Sequence, residues 1–140
     1  MMARLLRVAR EEGLPFGPRE KTYNSRLAQE LGKWAESKGQ GKGYHDAVFR
    51  AYFAEGKNIA KRSELVELVR SLNLPEEEAR KVLEERSFKE LVDRDWQHCY
   101  RMGVSAVPTF LMKGQFVVGA VPYDAIEKLL VGGGVSKRQH

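Results

Sequence analysis

At 140 residues, with 42% apolar and 31% charged residues, the chain is long enough for one folded domain with a real core. The formal net charge of +5 is modest, and acidic and basic residues are interspersed, so charge does not point to nucleic acid. One cysteine permits no internal disulfide, and no apolar run is long enough for a signal region or a bilayer span, which makes cytoplasmic the default location and leaves membrane out.

In chain order, residues 3–12 read as a short helix with Leu5, Leu6, Val8 and Ala9 on its apolar side, stopped by Gly13 and the turn at 15–18. Asn24 suits the N-cap of a second helix over 25–37, with Leu27, Leu31, Trp34 and Ala35 at i, i+4, i+7 and i+8. Gly39, Gly41 and Gly43 then mark a flexible break. A third helix over 44–54 carries Ala47, Val48, Tyr52 and Phe53 with Phe49 beside that stripe, and Ser63 is placed to cap a fourth over 65–72. Pro75 followed by Glu76, Glu77 and Glu78 opens a fifth, because proline suits a first turn and carboxylates suit the positive dipole end. Residues 88–102 form a sixth helix.

Two short β-rich runs, 109–112 and 116–119, flank Lys113 and Gly114 and read as a hairpin. Pro108 cannot donate to a sheet ladder, so it belongs at the first strand position. A last helix over 123–130 covers one sheet face, and 132–140 reads as a flexible tail. The organisation expected is a helical region over 1–102, a hairpin and helix over 103–131, and that tail. The hairpin's free edge and an exposed apolar face around Phe110, Met112, Val117 and Val118 call for a partner edge, from a second copy or another polypeptide.

Few side chains point to chemistry. Cys99 is a lone thiol that cannot complete a two-thiol exchange within its own chain, and it is held as a low-ranking reactive candidate beside the reading of a small buried hydrophobe. His45, His98 and His140 are too scattered for a metal site, and no pattern calls for a cofactor or names a catalytic residue. Tyr44, Phe49, Tyr52 and Phe53 have helical spacing and read first as core, with Phe49 or Tyr52 possible liners of a cleft. Lys57, Lys61 and Arg62 form a small basic patch without a zinc finger, RNP motif or recognition helix, so no nucleic-acid partner is expected.

The stretch VPTF, at 107–110, resembles the cis-proline loop of the DsbA family, and GQFVVGAVP resembles its following strand and the start of its final helix. KTYNSRLAQ, FRAYFAEGKNI and ELVELVRSLNL resemble the helical insertion of the FrnE-like branch, related to 2-hydroxychromene-2-carboxylate isomerases and kappa-class glutathione transferases. The resemblance covers residues 1–131. It implies an α/β class, an incomplete thioredoxin-like fold made mainly of a helical insertion followed by a cis-proline β-hairpin and a terminal helix. It implies a dithiol-disulfide oxidoreductase family in which Val107 and Pro108 meet an extended thiol-containing peptide or glutathione, while Asn24 looks like the asparagine that helps hold glutathione in the isomerase and transferase relatives. The family's Cys-x-x-Cys is not present, and 1–13 has helical rather than strand periodicity. The chain is therefore expected to be a C-terminal portion whose N-terminal catalytic half is absent, weak or inactive in exchange alone. A glutathione-dependent isomerase or transferase remnant and a noncatalytic binding or assembly module, homo-oligomeric or paired with the missing half, are the alternatives.

Overall fold

The computed structural model describes residues 1–138. Helices α1 (Met2–Glu11), α2 (Arg26–Ser37), α3 (Gly41–Phe49), a π-helical turn (Arg50–Ala54), α4 (Arg62–Ser71), α5 (Glu76–Glu85) and α6 (Lys89–Arg101) precede strands β1 (Thr109–Met112) and β2 (Gln115–Val118) and helix α7 (Tyr123–Gly132). The chain divides into two compact units, Met1–Arg94 and the stretch from Asp95 onward. The expected mostly helical, incomplete thioredoxin-like arrangement with a short hairpin and closing helix is what is seen.

The first unit closes its own core. Leu31, Trp34 and Ala35 of α2 meet Tyr44 and Val48 of α3, Leu65 and Val69 of α4 and Leu83 of α5, all buried. The leucine and valine side chains among them each contribute about 1.5–3 kcal/mol on leaving water. The helix termini follow local chemistry. The N-cap position of α2 falls on Ser25, not on Asn24 as expected; Asn24, one residue earlier, makes a turn in which its Oδ1 accepts the Arg26 N–H at 2.8 Å. Pro75 immediately precedes α5, whose first turn holds Glu76, Glu77 and Glu78.

Two further local expectations are corrected. Gly41 and Gly43 are not a loop: they lie in the first turn of α3, and the break contracts to Lys38, Gly39 and Gln40. There the start of α3 runs close to Glu36 at the end of α2, and a side chain at Gly41 would crowd Glu36. Ser63 is already inside α4 and makes no capping bond; Asn58 instead holds the preceding turn, its Oδ1 accepting the Ala60 N–H at 3.0 Å.

In the second unit β1 and β2 pair antiparallel with Thr109 opposite Val118, Phe110 opposite Val117, Leu111 opposite Phe116 and Met112 opposite Gln115. Lys113 and Gly114 form the two-residue turn, both at positive φ (47° and 79°), the left-handed pair that matches the strands' twist. The Val107–Pro108 peptide is cis. Strand alternation turns Phe110, Met112 and Val117 to one face, where all three are half-buried and α7 packs on the sheet, and turns Leu111, Phe116 and Val118 to the other, where all three are exposed. The exposed apolar face is thus Leu111, Phe116 and Val118, and only Val118 was expected there. α7 ends at Gly132, and Lys137 beyond it reaches Glu127 at 2.5 Å. Of the tail, Gln139 and His140 lie outside the described residues.

Candidate functional site

α2 and α3 pack side by side and leave a cavity of about 390 Å³ near the start of α2, in the first unit. The α3 helix turns Tyr44 and Val48 inward at i and i+4, and a π-helical turn follows it. Ala51 enters the core at i+7, while Tyr52 and Phe53, adjacent in sequence, both line the cavity. Phe49, 59% exposed, stands at its rim. Phe53 packs on its neighbours at 4.8 Å from Tyr52, edge to face, and 6.2 Å from Phe49. From α2 and the segment before it come Tyr23, Ser25 and Gln29, with Ser25 Oγ accepting from Gln29 Nε2 at 2.8 Å. The Tyr44 hydroxyl donates to the Ala28 carbonyl at 3.0 Å, and burial pushes its pKa far above the ordinary phenol value, so it stays a neutral donor.

An irregular strap before α2 braces this wall. Gly17 N–H donates to the Phe53 carbonyl at 2.8 Å, and a Cβ at Gly17 would collide with the Ala54 carbonyl oxygen, so only glycine allows that approach. Phe16 lies 6.0 Å from Phe53, and the Arg19 guanidinium sits over the Tyr52 ring at 4.2 Å and near Phe53 at 5.5 Å. The arrangement can enclose an apolar, ring-bearing molecule and present a few polar groups to it.

Elsewhere in this unit Glu30 is buried, with 1% of its surface exposed, and receives two 2.7 Å bonds from Arg86 and one of 3.1 Å from Arg26, which also pairs with Asp93. Burial alone would raise the Glu30 pKa; the bonds from Arg86 and Arg26 outweigh it and hold the carboxyl below its ordinary value. Arg86, the residue just past α5, lies in the left-handed region at φ 55°, and its guanidinium reaches Glu30. This network ties α2 to the segment after α5 and is apart from the cavity.

Of the sequence-derived site residues, Phe49 and Tyr52 come together on the cavity, and Asn24 is exposed between two of its liners, Tyr23 and Ser25. Val107 and Pro108 belong to the second unit, where Val107 is 89% exposed and the Pro108 carbonyl accepts the Gly119 N–H at 2.8 Å. Cys99 is exposed on α6, not buried as a small hydrophobe. His45 lies at the cavity, its Nε2 3.2 Å from Glu36 Oε1, and no cluster able to hold a metal occurs among the described residues. Arg19, Tyr23 and Gln29 were not legible: the strap has no periodicity, and nothing in its composition says which ring it will cover.

The DSBA-like thioredoxin domain family matches residues 1–131. An uncharacterized Bacillus subtilis (strain 168) protein, YwbO, is 30% identical over 105 residues, 74% of this chain and 52% of the relative, so the chain spans about half the length of that curated relative. Among solved structures, 2-hydroxychromene-2-carboxylate isomerase superposes with a TM-score of 0.76 at 22% identity over 95% of this chain and 64% of that one. The cytosolic disulfide reductase DsbM from Pseudomonas aeruginosa gives 0.62 at 24% identity, and its structure with GSH 0.58 at 25%, each over 89% of this chain and 65% of that one. The expectation of a C-terminal portion with an absent N-terminal catalytic half is corrected by these matches. The family domain takes in residues 1–131, nearly the whole sequence, and α2, α3, α4 and α5 bury a core of their own. With the domain match covering nearly the whole sequence and the fold agreeing over most of it, the chain belongs to the DSBA-like thioredoxin domain family.

Proposed function

We propose that this chain binds glutathione-linked, ring-bearing or otherwise apolar small molecules in its helical cavity, in the manner of a glutathione-dependent isomerase or transferase, and is weak or inactive in dithiol-disulfide exchange. The observation that carries the reading is the cavity itself: five aromatic side chains, Tyr23, Tyr44, Phe49, Tyr52 and Phe53, around about 390 Å³ with Ser25, Gln29 and His45 as polar points. Dithiol exchange needs an attacking and a resolving thiol, and the sequence holds one cysteine. The fold likeness to an isomerase and to a disulfide reductase solved with GSH supports a thiol compound as one partner. Asn24, at the rim, is the residue assigned to it. The reductase's cytosolic description supports a cytoplasmic setting, and no helix among the described residues is long and apolar enough to cross a membrane. The FrnE-like placement rests on the helical segments quoted above.

Calorimetric titration with glutathione and S-hexylglutathione tests this. The hexyl conjugate is expected to bind about tenfold or more tightly than glutathione, because each buried methylene contributes about 0.8 kcal/mol, and Phe49→Ala with Tyr52→Ala should abolish the difference. No binding of either at millimolar concentration would end the proposal, as would efficient insulin reduction by this chain alone.

A second reading has its own observation. Leu111, Phe116 and Val118 on the hairpin, with Val107 before it, expose apolar surface beside a free sheet edge, which suits an extended thiol-containing peptide or a second copy adding a strand. A monodisperse monomer at high micromolar concentration in sedimentation velocity would remove the second copy.

A further inference from the structure

We propose that His45, oriented by Glu36, is the hydrogen-bond acceptor of the helical cavity, so that the ligand held there presents a weakly acidic O–H or S–H proton to Nδ1 of that ring. The inference rests on the reading that the cavity takes a small molecule, and adds which polar group on the wall meets it. His45 lines the cavity and is 46% exposed, so a molecule lying there can reach the ring. Its Nε2 stands 3.2 Å from Glu36 Oε1. An ionised carboxylate only accepts, so Nε2 carries the proton of the neutral ring and Nδ1 is left with a lone pair. Among the described residues Nδ1 has no hydrogen-bond partner.

Three neighbours fix the ring. Glu36 is itself held, its other oxygen lying 3.6 Å from Lys33 Nζ. Gly32, buried within α2, gives the imidazole room: a Cβ there would stand 3.2 Å from His45 Cε1 and 3.4 Å from Tyr44 Cε1. A glycine inside a helix costs about 1 kcal/mol relative to alanine, and here its bare backbone lets the imidazole edge settle onto α2. Tyr44 stands edge-on to the ring, with centroids 5.9 Å apart and planes at 73°. The same contacts decide which nitrogen faces which way. Cε1 lies against Gly32, and Nε2 on one side of it turns to Glu36, four residues further along α2. Nδ1, on the other side of Cε1, therefore turns toward Gln29, three residues earlier in α2 and itself a cavity liner. Two polar neighbours are already engaged within the protein, the Tyr44 hydroxyl with the Ala28 carbonyl and Gln29 Nε2 with Ser25 Oγ. Nδ1 is the acceptor they leave to a ligand.

Fluorescence titration of the full chain with 2-naphthol and with 2-methylnaphthalene, which matches its size but has no proton to donate, tests the acceptor. In His45→Phe, which keeps a ring on the wall, the affinity for 2-naphthol relative to 2-methylnaphthalene is expected to fall about threefold to tenfold, the size of one hydrogen bond. Nitrogen NMR at mildly alkaline pH, where imidazole side chains are neutral, should find the His45 proton on Nε2. The Nδ1 resonance should move on addition of 2-naphthol and stay in place with 2-methylnaphthalene. Glu36→Gln, whose amide can donate to Nε2, should populate the Nδ1–H form and lower the same affinity ratio. An unchanged ratio in a folded His45→Phe protein, or an Nδ1 resonance indifferent to bound 2-naphthol, overturns the acceptor while leaving the cavity reading standing. An Nδ1–H form in the unaltered free protein overturns it as well. Failure of both probes to bind defeats the acceptor and the cavity reading together. Should His45→Phe not fold, the Nδ1 response of the unaltered protein decides the matter.

Discussion

The two units of this chain use their apolar residues in opposite ways. In Met1–Arg94, α2, α3, α4 and α5 contact one another from several sides and bury Leu31, Trp34, Tyr44, Leu65, Val69 and Leu83 almost completely. In the second unit the end of α6, two four-residue strands and α7 bury a single large apolar side chain among the described residues, Leu129, and leave Trp96, Tyr100, Leu111, Phe116, Val118, Leu130 and Val131 exposed. A helix bundle can surround a side chain, whereas one helix on a two-stranded sheet covers one face only. Stability is therefore concentrated in the first unit, and unpaired binding surface in the second.

The largest effect expected from that contrast is at the centre of the first core. Trp34→Ala removes a ring that is 1% exposed and donates to Glu78 at 3.2 Å, and should cost about 3–5 kcal/mol in urea unfolding followed by circular dichroism. A loss under 1 kcal/mol would show that the α2 to α5 core is not where stability lies. Next comes the buried ion network. Glu30→Gln should cost about 2 kcal/mol, since Arg86 and Arg26 lose their charge-assisted bonds. Because the folded-state pKa of Glu30 lies below its unfolded value, the stabilisation is fully present above the ordinary carboxylate range and is lost as pH falls through the folded value. Unfolding free energy should accordingly fall more steeply with acid in the native protein than in Glu30→Gln. Glu76, held down to about 2 by Arg70 and then Arg80, changes in the same direction, but its exposure to water keeps its share small.

Smaller in stability but decisive for the cavity is Phe49→Ala. At 59% exposure the ring adds little to folding, so the unfolding midpoint should hardly move while binding of S-hexylglutathione weakens several-fold. Unchanged binding would place the ligand elsewhere. The smallest folding effect belongs to the second unit: Phe116→Ser with Val118→Ser should alter stability by about 0.5 kcal/mol or less. The same pair should lower any self-association seen in sedimentation velocity, and an unaltered sedimentation profile for an oligomeric parent would move the interface off the hairpin.

Much of the fold was legible because it depends on short-range rules. The α2 stripe of Leu31, Trp34 and Ala35 follows 3.6 periodicity into the core, Asn24 bonds the first N–H of α2 from one residue before its N-cap, and Lys113 with Gly114 makes the turn. The site was legible only in part. Phe49 and Tyr52 were singled out as cleft liners beside a core reading, and the structure puts both on the cavity. Phe53 was also placed with the core stripe, but Tyr44, Val48 and Ala51 at i, i+4 and i+7 form the inward face, and Phe53, two positions past Ala51, is left at 38% exposure. The hairpin's exposed face was misassigned for a related reason: alternation pairs residues into two sets, but which set faces α7 depends on where that helix returns.

Composition, periodicity and turn chemistry by themselves determined a helical chain with a late hairpin, one thiol and no metal-ligand pattern, because each of these depends on neighbours within a few residues. Only the tertiary structure decided that the helical unit closes its own core, that Glu30 is buried between two arginines contributed from residues 26 and 86, and that Arg19 from an irregular strap lies over Tyr52. Those contacts join segments whose spacing no local rule sets, and their geometry follows from how the helices pack.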